Sequence, residues 1–322
     1  MPTIKSGYLP KNPLFRNKHF ATIFPTQFRT IQLTRPLERL RLNTPDLDFI
    51  DVDVSFNNHT RAAILLHGFE GNSERPYMLG MSRQLQKDGW DIIAVNHRGC
   101  SGEPNKTPRA YHAGETEDLA LIIEHMIQAR QYKEVVLVGF SLGGNILLNY
   151  LGKQTNIPPE VKAGVAISVP VDLRTAAFEI MKPSNWVYHR DFFKKVMQKM
   201  KIKEKKYPQI LPFREIYSSR NIDDIDENYT APFHGFRDAT DYREKSSALF
   251  VLDRIQRPAL LLNSQDDPFL TASNYPYDIA STSADLFLLT PRYGGHCGFW
   301  MRGNTYYHEI KASEFVKQYS RF

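Results

Sequence analysis

Six short, nearly unbroken apolar runs punctuate the chain, at 62–66, 91–95, 134–138, 164–168, 259–262 and 284–289. Strands covered by helices on both faces read this way, because neither face leaves a solvent side for alternating polar residues. Segments of helical spacing separate the runs. Leu119, Ile122, Ile123, Met126 and Ile127 recur on one face of 115–130, and a second helix is expected over 144–151. Such alternation demands crossover connections, so the expected fold is α/β, a mostly parallel, doubly wound sheet. The pattern fails between 172 and 249, where basic, aromatic and proline-containing stretches replace it. Connections of that length are usually lids or binding elements, so 172–249 is expected to be a helical cap inserted into a core of 1–171 and 250–322. Inside that core, 1–58 carries six prolines and reads as an extended arm with antiparallel edge strands around 37–42 and 49–56.

Four segments carry chemistry. Gly139-Phe140-Ser141-Leu142-Gly143 follows one apolar run directly and precedes a helix. A serine in that setting sits on a tight strand-to-helix turn that exposes its hydroxyl, and small residues two before and two after it keep the turn free of clashes. His67-Gly68-Phe69-Glu70-Gly71 follows the run at 62–66, where a glycine-bearing loop can aim backbone donors at a developing oxyanion. The Phe69 and Leu142 N–H groups are the expected pair, and such donors typically contribute about 3 kcal/mol each to barrier lowering. After the run at 259–262 come Asp266 and Asp267, then Pro268. One of the two carboxylates, Asp266 or Asp267, is expected to orient the histidine; counting about four residues beyond the last buried strand position favours Asp266, with Asp267 then a turn residue. His296, flanked by Gly294, Gly295 and Gly298, follows the last run. The order Ser, Asp, His is that of one serine-hydrolase fold and of no other common one. His67, His97, His112 and His234 follow no final strand and read as structural, His67 as a shaper of the donor loop.

Bulk properties narrow the alternatives. No apolar run approaches the roughly 18 to 20 residues a membrane-spanning helix needs, and the first residues lack the pattern of a secretory signal, so a cytoplasmic protein is expected. Cys100 and Cys297 are the two cysteines and are expected to be free thiols. A Cys297 nucleophile is disfavoured, since its neighbour His296 points its side chain elsewhere. Neither metal-ligand spacing nor a phosphate-binding glycine motif occurs, so no metal and no cofactor are expected. The net charge of +6 concentrates in Lys194, Lys195, Lys199, Lys201, Lys203, Lys205 and Lys206. A solvated helix face is the plain reading of that stretch; transient contact with a membrane surface, or with an acidic substrate, is the other. No nucleic-acid role is expected. The aromatics Phe178, Trp186, Tyr188, Phe192 and Phe193 either line an acyl pocket or pack the cap.

The chain resembles the YheT-like hydrolases, a branch of the α/β-hydrolase superfamily that includes bacterial esterases and eukaryotic lipid hydrolases. The resemblance covers nearly the whole chain. It rests on His67 to Ser73, Asn96-His97-Arg98-Gly99-Cys100-Ser101-Gly102, Tyr111 to Asp118, Gly139 to Asn145, the stretch from Gly235-Phe236 to Pro268, and Asp266-Asp267-Pro268 within it. Arg243 departs from the pattern, which tends to a second tyrosine after Tyr242, and puts one cap contact in doubt. The resemblance implies the α/β-hydrolase fold and hydrolysis of a carboxylic ester, small or lipid, and it supports Asp266 as the acid. Thioesterase or acyltransferase chemistry would use the same residues. A non-catalytic binding module on the same scaffold is a further class, against which the complete nucleophile, acid and base set argues.

Overall fold

In the computed structural model, residues 3–320 are described, and the apolar runs form one sheet of nine strands among them. Pro2, counted with the proline-rich arm, lies outside the described residues. The strands are β1 (Thr3–Ile4), β2 (Glu38–Asn43), β3 (Phe49–Ser55), β4 (Arg61–Leu66), β5 (Asp91–Asn96), β6 (Glu134–Phe140), β7 (Val161–Ile167), β8 (Ala259–Leu262) and β9 (Leu286–Leu289). Their spatial order is β1-β9-β8-β7-β6-β4-β5-β3-β2. Only β2 with β3 and β3 with β5 pair antiparallel; the other pairs run parallel. The last strand is shorter than its apolar run: the Ser283 hydroxyl accepts from the Asp285 and Leu286 N–H groups, and Asp285 reaches β8 only through its carbonyl, which accepts from the Ala259 N–H.

Two helical layers cover the sheet, and the strand residues alternate between them. Ile64, Leu66, Val135 and Leu137 pack toward α3 (Glu117–Arg130) and α4 (Leu142–Lys153) through Ile122 and Leu147. Ala63, Leu65, Val136 and Val138 pack the opposite way with Met78 of α2 (Pro76–Lys87) and Phe315 of the C-terminal helix, Tyr307–Tyr319. Both faces being apolar explains the unbroken runs.

The N-terminal arm departs from the extended reading. Residues Lys18–Phe28 form a helix, α1, capped by Asn17, whose Oδ1 accepts from the His19 and Phe20 N–H groups. Pro25 stands inside it and removes one backbone donor, which is why the sequence reads as a break. The Ala21 carbonyl, four residues before Pro25, lies against Gly298, where a Cβ would come within 2.2 Å of it.

Segment 172–249 has no strand among the described residues. It holds α5 (Leu173–Ile180), α6 (Trp186–Lys206), α7 (Phe213–Ser218), α8 (Ile222–Ile225), α9 (Ala231–Phe233) and α10 (Ala239–Ser246), with a small apolar cluster of its own around Val196, Met200, Phe213, Ile216 and Tyr229. Arg243, the departure noted above, is buried and pairs with Asp223 at 2.5 Å and Asp226 at 2.8 Å, so it joins α10 to α8 and the turn after it. Asn145 of α4 receives the chain as it leaves this segment. Its Nδ2 donates to the Ala113 and Ser246 carbonyls, and its Oδ1 accepts from the Ala248 N–H.

At the C-terminal end of β8, Asn263 is fully buried and makes three backbone contacts. Its Oδ1 accepts from the Val169 N–H at 2.7 Å, and its Nδ2 donates to the carbonyls of Val169 and Asn274 at 3.0 Å each. Asn263→Ala leaves these buried groups unpaired and should lower unfolding stability by about 3 kcal/mol. Urea titration checks this through a fall in midpoint at unchanged slope.

Candidate active site

β6 delivers Ser141 at its C-terminal end, and α4 starts at the next residue. Ser141 has φ 52 and ψ −121, a conformation that L-residues rarely adopt. Neighbouring chain segments close tightly around that turn. A Cβ at Gly143 would lie 2.5 Å from the His67 carbonyl oxygen and 2.6 Å from that of Leu66; one at Gly139 would lie 2.5 Å from the Gly143 oxygen. Both glycines of the pentapeptide are therefore required by space.

The loop after β4 stands against this turn, with Gly68 so near that its Cβ would sit 3.0 Å from the Ser141 Cβ. His67 shapes the loop. The backbone N–H of His97 donates to its Nε2 at 3.1 Å, so Nδ1 carries the proton and donates to the Gly68 carbonyl at 2.7 Å. Burial and the adjacent His97 push the His67 imidazole well below its usual pKa, and burial brings His97 down to about 4, so both rings are neutral near pH 7. Phe69 and Leu142 line the same cavity as Ser141, and neither N–H has a partner among the described residues.

The structure departs from the sequence reading in the carboxylate that meets the histidine. His296 Nδ1 bonds to Asp267 Oδ2 at 2.8 Å, not to Asp266. The Asp267 N–H donates to the Ser264 carbonyl at 3.3 Å, closing a turn with Gln265 and Asp266 at its corner. Asp267 thereby points its fully buried carboxylate under the imidazole and also accepts from the Phe269 N–H. Asp266 instead accepts from the Gly295 N–H at 2.8 Å. Burial raises its pKa, and its Oδ2 has no partner among the described residues. Counting from the last strand residue fails because Asn263 and Ser264, beyond the strand, are also fully buried.

One contributor went unread in the sequence. The His296 N–H donates to Thr22 Oγ1 at 2.9 Å, and Thr22 Oγ1 donates to the Lys18 carbonyl. Helix α1 thus pins the histidine loop at its backbone, while Asp266 pins it one residue earlier. The only signal in the sequence was Asn17 ahead of phenylalanines spaced by four, and Pro25 masked it. Cys297 is no rival to Ser141: its thiol is buried, which raises its pKa, and its N–H donates to Ser168 Oγ.

Ser141 and His296 open into one cavity of about 570 Å³ between the sheet edge and the inserted helices. Aromatic rings bridge the two walls: Phe69 to Phe192 of α6 at 5.6 Å, Phe192 to Phe269 at 6.4 Å, and Phe269 to His296 at 4.6 Å. Of the five aromatics considered for a pocket, Phe192 alone lines it. Phe178 and Trp186 are more than half exposed, Phe193 packs within the inserted helices, and Tyr188 contacts His19 and Phe269.

The family model described as the alpha/beta hydrolase fold matches residues 63–302. The chain belongs to that family. YheT of Escherichia coli K12, named as a candidate esterase, is 36% identical over 292 residues, 88% of this chain and 85% of its own. The bovine phospholipase ABHD3 is 30% identical over 309 residues, 91% of this chain and 75% of its own. The solved Pyrococcus furiosus esterase Pf2001 shares the fold at TM-score 0.61 and 16% identity, over 90% of this chain and 96% of that one. The α/β-hydrolase assignment and the likeness to the YheT branch thus hold over nearly the whole chain. No helix among the described residues is long and apolar enough to cross a membrane.

The pairing of this α/β hydrolase's carboxylates is open to direct measurement. A strongly downfield imidazole N–H resonance from His296 should be present in the proton NMR spectrum, vanish in Asp267→Ala, and persist in Asp266→Ala.

Proposed function

We propose that this protein hydrolyses carboxylic esters, with Ser141 as nucleophile, His296 as general base and Asp267 as the acid that orients it. The observation that carries the reading is the His296–Asp267 hydrogen bond, with His296 opening into the same cavity as a strained Ser141. With Nδ1–H committed to Asp267, Nε2 is left as the acceptor that takes the Ser141 proton as Oγ attacks the carbonyl carbon. The Phe69 and Leu142 N–H groups then stabilise the oxyanion, and the start of α4 adds the positive end of its dipole. Collapse releases the alcohol with the proton from His296. Water, deprotonated by the same nitrogen, attacks the acyl-enzyme and frees the acid and Ser141. The substrate, a small or lipid ester, occupies the cavity described above, and the esterase and phospholipase names of the relatives support that class.

Turnover of p-nitrophenyl esters from acetate to palmitate tests the reading. The wild type should be active and Ser141→Ala inactive, with covalent fluorophosphonate labelling lost from the peptide that holds residue 141. Asp267→Asn should lower kcat by about ten-thousand-fold, because the amide stabilises the wrong imidazole tautomer, whereas Asp266→Asn should cost much less. Thr22→Val should lower kcat and Thr22→Ser should restore it, since the hydroxyl alone receives the His296 N–H. Absence of turnover on every chain length sinks the proposal.

A further inference from the structure

The seven lysines of α6 do not share one face. Lys194, Lys201 and Lys205 are exposed, as a solvated face requires, whereas Lys195, Lys199, Lys203 and Lys206 line the cavity that contains Ser141. The spacing of four, four and three residues is that of a single helical stripe. Phe192 and Val196 begin the same stripe, at the end marked by the ring contacts to Phe269 and Phe69. At about 1.5 Å per residue, Lys203 lies about 16 Å along the axis from Phe192 and Lys206 about 21 Å. The cavity wall therefore changes from apolar to basic with distance from the catalytic end.

Charge pairing divides these four lysines. Lys195 pairs with Asp191 at 2.6 Å and Lys199 with Glu70 at 2.8 Å. Lys203 donates only to the carbonyls of Pro108 and Arg109, and Lys206 only to that of Asn105, among the described residues. The carboxylates that line the cavity are all engaged elsewhere: Glu70 with Lys199, Glu103 with Arg41 at 2.6 Å, and Asp226 with Arg243 at 2.8 Å. Burial, reinforced by the charges of Lys199, Arg98 and Lys206, outweighs the opposing charge of Asp48 and pulls Lys203 down to about 8. An ammonium offers three donors, so both lysines retain hydrogen-bonding capacity toward the cavity.

We propose that this end of the cavity is a subsite for an anionic group, a phosphate or a carboxylate carried on the ester well away from its scissile carbonyl, held by Lys203 and Lys206. The inference rests on the ester-hydrolase reading above and specifies the substrate class of the same site. The side chains of Phe192 and Val196, with Lys195 between them paired to Asp191, face the chain that joins the two ends. The anion supplies the close ion pair that neither lysine makes among the described residues, and for Lys203 it replaces hydration lost on burial.

Matched ester pairs test this. The mono-p-nitrophenyl esters of suberic and sebacic acid, against the octanoate and decanoate, place the charge on the acyl side. The hexanoate of octanediol monophosphate, against that of octanediol itself, places it on the alcohol side. In the wild type one arm should show a kcat/KM ratio favouring the anionic member, falling as sodium chloride is raised, and the arm that responds identifies the source. In Lys203→Met/Lys206→Met that ratio should fall about ten-fold, equivalent to about 1.4 kcal/mol. Lys206→Met alone, at an exposed position, should give part of the fall. If wild type shows no anionic preference in either arm, or if the ratio is the same in the variants, the subsite is refuted while the ester-hydrolase reading stands. If wild type cleaves neither member of any pair, the ester-hydrolase reading fails and the subsite fails with it.

Discussion

Close approach of backbone to backbone at the end of β6 is the constraint on which the rest of the molecule depends. The turn at Ser141 survives at φ 52 because the strand on one side, the helix on the other and the loop after β4 leave it no alternative course. Parallel pairing of β6 with β4 brings the 67–71 loop beside that turn, and pairing with β7 supplies the Ile167 carbonyl that accepts the Ser141 N–H at 2.9 Å. A residue with a side chain at 139 or 143 would open this junction. The conformational cost is borne by the fully buried strands on either side, whose packing over-determines the turn.

The histidine loop is held by a different principle. Gly294 and Gly295 take positive φ, a conformation other residues reach only under strain, and the loop that follows them gets its order from three separate donations: Gly295 N–H to Asp266, His296 N–H to Thr22, and the ring to Asp267. Two of the acceptors lie in the turn after β8 and one in α1, residues that are distant in sequence. The inserted helices contribute Phe192 and the inward lysines, so the wall facing Ser141 and His296 belongs to a segment that carries neither of them.

Much of this was legible beforehand, and for identifiable reasons. Buried parallel strands leave an unbroken apolar signature, so β4, β5 and β8 were readable to within one residue, while β6 extends two residues beyond its run and β7 starts three residues before its own. Ser141 and His296 drew notice because glycines flank each, Ser141 directly after β6 and His296 in the loop beyond β9, and the structure opens both into one cavity. The helix at Lys18–Phe28 was misread because Pro25 interrupts its donor ladder without ending it. β1 left no trace, since two residues of edge pairing leave no pattern to detect.

By itself the sequence determined the fold class, the serine and histidine flanked by glycines, and a carboxylate pair in the right turn, because those follow from strand burial and glycine placement. Which carboxylate meets the histidine, which threonine supports it and which lysines face the cavity were decided only by the tertiary structure. Each of these depends on the direction of a side chain relative to an element remote in the chain. A one-residue change of register in a turn reverses that direction while leaving composition and spacing almost unaltered.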